Sequence, residues 1–135
     1  MSEKYVPTFT LNDGVEVPAV GLGTWQMQGD EVITAVRSAI DTGYRHIDTA
    51  AFYQNEADIG RAIHDAISAG DVTREELFVT SKVWNDQQSD HEVQAAFRAS
   101  LTNLGLDYLD CYMVHWPCPS TGRHVERFAA LSTLQ

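Results

Sequence analysis

The sequence has no apolar run approaching the ~20 residues that a helix needs to cross a bilayer, so no membrane partner is expected. Its opening residues, MSEKYVPTFTLNDG, are polar and lack the apolar core of a signal peptide. Positive charge is scarce. Nine Lys plus Arg stand against nineteen Asp plus Glu, for a formal charge of −10. Such an acidic chain repels phosphate backbones, which argues against nucleic acid as a partner. Cysteine is nearly absent: Cys111 falls in an apolar strand candidate and Cys118 in a proline-flanked loop. Their spacing matches no metal or redox motif, so buried free thiols in a reducing cytoplasm are expected, and a cytoplasmic location with them. Five scattered histidines form no metal-ligand cluster, so no metal is expected. No phosphate-binding loop is apparent, and no Ser or Cys nucleophile paired with a base.

What is present is a regular alternation. FTLNDGVEV sets two short apolar runs around Asn12-Asp13-Gly14, a hairpin signal because Asp-Gly accepts positive φ. AVGLGT (19–24) reads as a strand, and Asp30 is a candidate N-cap for a helix with Val32, Ile33, Val36, Ala39 and Ile40 on one face, ending at Gly43. RHID (45–48) reads as a second strand. A helix follows from about Asn55 to Ser68, with Ile59, Ala62, Ile63, Ala66 and Ile67 inward and Gly70 as its stop. LFVTSK (77–82) is the third strand. The next helix starts near Asp90, buries Val93, Phe97, Leu101 and Leu104, and ends at Gly105. LDCYMVH (109–115) is the fourth strand, apolar enough to suggest burial on both faces. The tail RHVERFAALSTLQ reads as a fourth helix.

Four βα units without linkers imply one domain with a parallel sheet covered by helices. Two architectures fit: an open doubly wound sheet, or the first part of a (β/α)₈ barrel. A dinucleotide-binding open sheet should carry G-x-G-x-x-G at its first strand-to-helix turn. GLGTWQMQG has the first two glycines and lacks the third in its place, which argues against that architecture.

In a parallel barrel every strand sends its C-terminal end to one face, where active sites gather. The four strand ends carry Gly23-Thr24-Trp25, Asp48, Lys82 and His115-Trp116, and Tyr53 lies one short loop past the second. Taken singly, each has an ordinary structural reading. Asp48 could cap a helix or pair with Arg45, Tyr53 could be a packed aromatic, Lys82 a solvated edge charge and His115 a satisfied interior histidine. Trp25, Trp84 and Trp116 are core candidates. Their convergence on one end is what favours a site. A lysine ammonium beside a phenol favours the phenolate, an aspartate holds the lysine, and a histidine can orient a carbonyl. Such a set suits protonation of an oxygen as it becomes an alkoxide.

At these residues the sequence resembles the aldo-keto reductase superfamily. GYRHIDTAAFYQNE is similar to the family signature G-[YF]-R-x-[IL]-D-T-A-x-x-Y-x-N-E, FVTSKVWN to the segment around its lysine, and LGLDYLDCYMVHWP to that ending in its histidine. LNDGVEVPAVGLGTW is similar to its opening hairpin and first strand, and TSKVWND with VHWP resembles prokaryotic members that include 2,5-diketo-gluconate reductases. The resemblance implies a catalytic tetrad of Tyr53 as general acid, Lys82 lowering its pKa, Asp48 holding Lys82, and His115 orienting a small-molecule carbonyl substrate. It implies hydride from NADPH, with Gly23, Thr24, Trp25 and Asp48 near the nicotinamide. It also implies a substrate wall of Trp25, Phe52, Trp84, His115 and Trp116.

A complete (β/α)₈ barrel takes about 250 residues, and this sequence has 135. The expectation for 1–135 is therefore a partial aldo-keto reductase domain, the first half of a barrel, with the remaining cofactor contacts on the other half. Alone it is expected to be inactive. Its first and fourth strands would be open edges, making self-association or pairing with a complementary half the alternative, non-enzymatic role.

Overall fold

A computed structural model of the protein describes residues 6–134. It opens with an antiparallel hairpin in which β1 (Thr8–Thr10) pairs with β2 (Glu16–Pro18), Phe9 opposite Val17. Gly14 takes φ +86°, and the Val15 N–H donates to Asp13 Oδ1 at 3.0 Å, so the Asp-Gly turn forms as its chemistry predicts.

Four βα units follow: β3 (Gly21–Gly23) and α1 (Gly29–Thr42), β4 (His46–Asp48) and α2 (Glu56–Ser68), β5 (Phe78–Val83) and α3 (Asp90–Leu104), β6 (Cys111–Val114) and α4 (His124–Ser132). Single 3₁₀ turns lie at Ala51–Tyr53 and Pro119–Thr121. The four strands pair in parallel in chain order, β3-β4-β5-β6, and each helix packs beside the next. This is the α/β arrangement of a partial barrel. None of the helices among the described residues is long and apolar enough to cross a membrane.

The apolar stripes meet where their spacing points them. Val32, Val36 and Ile40 of α1 pack with Ile47, Ile59, Ile63, Val79 and Leu104 in one buried cluster, each large side chain contributing roughly 1.5–3 kcal/mol by leaving water. A smaller cluster joins Val83, Val93 and Ala130 where α3 and α4 cover β5. Gly60 lets α2 approach α3: a Cβ there would stand 2.8 Å from Leu104 Cα and collide with the Leu104 carbonyl.

Several boundaries differ from the sequence reading. The strands are trimmed at one or both ends, and β5 runs on to Val83. Asp30 does not cap α1. Gln28 holds that position without a side-chain bond, and Asp30 lies in the first turn, where its charge still opposes the helix dipole favourably. Ser89 caps α3 instead, in a reciprocal capping box with Glu92. β6 is not buried on both faces: Met113 is 40% exposed and its strand neighbours are half-buried, because among the described residues this strand has a partner on one side only. Both cysteines are free and half-buried.

Candidate active site

Parallel pairing sets the register of the site. Asp48 lies opposite Thr80, so Lys82, two residues further along β5, shares its face of the sheet. The Lys82 ammonium donates to Asp48 Oδ1 at 2.6 Å, to the Thr49 carbonyl at 3.0 Å and to the Tyr53 hydroxyl at 3.5 Å. Arg45, the other candidate partner of Asp48, turns away and donates to the carbonyls of Ile40 and Tyr44. Tyr53 reaches the same place from the 3₁₀ turn after β4, and its ring lies edge-on to His115 at 5.8 Å.

His115 extends the ladder one residue past β6, its N–H donating to the Val83 carbonyl at 3.1 Å. Burial holds its imidazole below the ordinary histidine value. The Lys82 charge adds to this and Asp48 works against it. The ring is therefore neutral near pH 7, with one nitrogen available as a donor. Its Nδ1 is buried without a hydrogen-bond partner. Trp84 presents its edge to His115 at 5.0 Å and stacks on Phe52 at 3.7 Å. The structure thus brings Asp48, Tyr53, Lys82, His115, Phe52 and Trp84 together. Trp25 and Trp116 stand apart from this stack, 61% and 60% exposed on the flanking loops.

Thr24 is fully buried and gives its hydroxyl to the Asp48 carbonyl at 2.9 Å, tying the end of β3 to that of β4. A side chain at Gly23 would meet nothing within 4 Å, so this strand end is open to an approaching ring. A cavity of about 560 Å³ lies beside the aromatic pair, bordered by Phe52, Trp84, Glu56 and α3 residues including Ala99 and Ser100. Tyr53, Lys82 and His115 do not line it.

Three supporting residues escaped the sequence reading. Asn55, buried at the start of α2, donates to the carbonyls of Thr24 and Met27 at 2.8 and 2.9 Å and binds the first loop to the tyrosine loop. Glu56 is buried beside it and accepts from Ser81 at 2.7 Å and Ser100 at 2.8 Å. Burial raises its pKa against the pull of both serines. Arg127 of α4 is fully buried and donates to the carbonyls of Trp116 and Trp84. Asn55 and Glu56 could have been found as the N-E ending of the signature segment. Arg127 had no signal, since one charge in a polar helix reads as solvated.

The profile of the aldo/keto reductase family matches residues 19–135. The chain belongs to this family. Among curated family relatives it is 51% identical over 126 residues to the uncharacterized oxidoreductase YtbE of Bacillus subtilis, covering 93% of this chain and 44% of that one. It is 47% identical to the methylglyoxal reductase DkgA of Escherichia coli, covering 93% and 43%. Among solved aldo-keto reductases, it superposes on one from Bombyx mori in complex with NADP with a TM-score of 0.87 at 44% identity, over 95% of this chain and 46% of that one. One from Brucella melitensis gives 0.88 at 43% identity, over 96% and 48%. The chain therefore spans less than half the length of these relatives.

Proposed function

We propose that residues 1–135 carry the acid–base part of an NADPH-dependent carbonyl reductase. The observation that carries the reading is the shared ammonium: Lys82 Nζ lies 2.6 Å from Asp48 Oδ1 and 3.5 Å from the Tyr53 hydroxyl, with a neutral histidine beside that phenol. NADP is named in the Bombyx mori complex. Here Gly23, Thr24, Trp25 and Asp48 fit the nicotinamide end, since Gly23 leaves an open approach and Thr24 stiffens the strand ends. Lys82 and Arg127 are both engaged, so neither is offered to a phosphate.

In this reading the cofactor supplies a hydride to the carbonyl carbon. His115 donates a ring N–H to the carbonyl oxygen and aims it at Tyr53. The Tyr53 hydroxyl gives its proton to that oxygen as the C=O π bond opens, leaving an alcohol and a phenolate. Lys82 holds the phenolate by charge until solvent returns a proton, and Asp48 keeps Lys82 in place. Phe52 and Trp84, with Trp25 and Trp116 from the flanking loops, form the apolar wall for a small aldehyde or ketone.

The activity is proposed for a barrel completed by further strands. NADPH oxidation with a panel of aldehydes would be followed for this chain alone and mixed with the C-terminal half of DkgA. Turnover in the mixture, lowered ~10²-fold or more by Tyr53→Phe, is the expected result. No turnover in the mixture would sink the reading. Turnover by the chain alone, lost in Tyr53→Phe, would refute the need for completion.

A second reading is favoured by the exposed apolar surface of the last unit. Val125 and Phe128 are 69% and 67% exposed, and with Val114 and Pro117 they line an apolar groove. Together with the open edges of β3 and β6, this supports an interaction module that self-associates. A monomer across the micromolar range in light scattering, with β6 amides well protected from exchange, would remove it.

A further inference from the structure

The most deeply buried cation among the described residues has no role in the proton transfer above. Arg127 is 0% exposed. Among the described residues no carboxylate lies within ion-pair distance of it. Its Nη1 donates to the Trp116 carbonyl at 3.1 Å and its Nη2 to the Trp84 carbonyl at 3.0 Å, while Nε is buried without a partner. Taking a permanent charge out of water is unfavourable unless several hydrogen bonds compensate it. Packing alone does not call for it. Ala130 and Leu131 already seat α4 against Val83 and Val93, and an apolar residue would fill the same volume.

The two acceptors are informative. The β5–β6 ladder ends with Val83 opposite Val114 and the His115 N–H bound to the Val83 carbonyl. Trp84 and Trp116 are the residues just beyond that end, where the chains would otherwise diverge into their loops. A planar guanidinium reaches two carbonyls from two separate nitrogens held at a fixed spread, whereas an ammonium offers a single nitrogen with no fixed fork. The Trp84 ring held in this way is the one stacked on Phe52 and set edge-on to His115.

We infer that Arg127 is a positioning residue for the carbonyl pocket, a two-pronged main-chain clamp that locks the Trp84 and Trp116 loops together and thereby sets Trp84 and His115. The inference rests on the proposed reading for what the pocket binds, and on geometry alone for the clamp. Replacing Arg127 by methionine keeps its bulk and removes both prongs. The Trp84 loop then loosens, its ring leaves Phe52, and water reaches His115.

The test is NMR on this chain without cofactor or turnover. The Trp84 indole signal and the titration midpoint of His115 would be followed in the parent, in Arg127→Met, and in Leu131→Ala as a control that loosens the same helix without touching either carbonyl. The expected result for Arg127→Met is a His115 midpoint raised from the parent's, as burial is relieved, and loss of the ring-current shift that Phe52 imposes on Trp84. Leu131→Ala should leave both in place. Identical changes in the two variants, or none in Arg127→Met, would overturn the clamp. Should Arg127→Met fail to fold, Arg127→Lys decides: its shorter stem and single nitrogen lack the fixed two-pronged spread, so a Trp84 signal and His115 midpoint equal to the parent's overturn it. Absent carbonyl reduction would sink the proposed function without touching these readings, and unmoved readings would sink the clamp without touching the function.

Discussion

Asp48 and Lys82 meet across two adjacent parallel strands, Oδ1 to Nζ at 2.6 Å, with the lysine side chain 12% exposed and the aspartate 35%. The pair is therefore half sheltered: too dry for Lys82 to do without a counter-charge, too wet for a fully buried ion pair. Asp48→Asn keeps the shape and removes the charge. The expected cost is about 1–2 kcal/mol, between exposed and buried pairs, read from urea unfolding. A loss near zero would show that the Thr49 carbonyl and solvent suffice for Lys82.

At the α2–α3 crossing the prediction is steric. In Gly60→Ala the new methyl meets the Leu104 backbone, which cannot rotate away as a side chain could. About 3 kcal/mol of destabilisation is expected, at the upper end for overpacking. Unfolding midpoints by circular dichroism would measure it. A variant as stable as the parent would mean that the two helices can slide apart freely.

Glu56 gives a pH signature. Its folded pKa is raised, chiefly by burial, so the folded state holds its proton above the ordinary glutamate value of 4.5. Stability from this group is present below pH 4.5 and falls as pH rises through the folded value. Glu56→Gln removes that dependence while still bonding Ser81 and Ser100. The variant should gain on the parent between pH 4 and pH 7, as measured by thermal unfolding at several pH values. A constant difference across that range would contradict the direction of the shift.

The histidines act in the opposite sense. His46 and His115 are both held below the ordinary value of 6.5, burial being the first cause in each. The unfolded chain therefore takes up protons more readily, and stability is lost as pH falls below 6.5 towards the two folded values. His46 faces Thr80 at 2.9 Å in the same sheet. His115→Asn should flatten the acid side of the stability profile, and an unchanged slope would mean that His115 does not contribute to it.

Much of this arrangement was legible because two periodicities were strong. The 3.6-residue stripes of α1 and α2 named the core, and alternation of strand with helix placed Asp48, Lys82 and His115 at one end. What could not be read depended on partners distant in sequence. Ser89 rather than its neighbours caps α3 because Glu92 reaches back to it, whereas Asp30 has no such reciprocal partner. The apolar run of β6 gave no hint that one side of the strand lacks a neighbour. Arg127 was invisible because its acceptors are main-chain carbonyls, which any residue provides.

The order of the sheet has a consequence for how the protein is made. Because β3, β4, β5 and β6 lie side by side in the order in which they leave the ribosome, each strand has its earlier neighbour already made when it emerges. Among the described strands every pairing spans a single crossover, so each step closes a loop of similar, modest length. The Asp48–Lys82 contact needs only β4 and β5, without α3 or β6, and His115 joins it with β6.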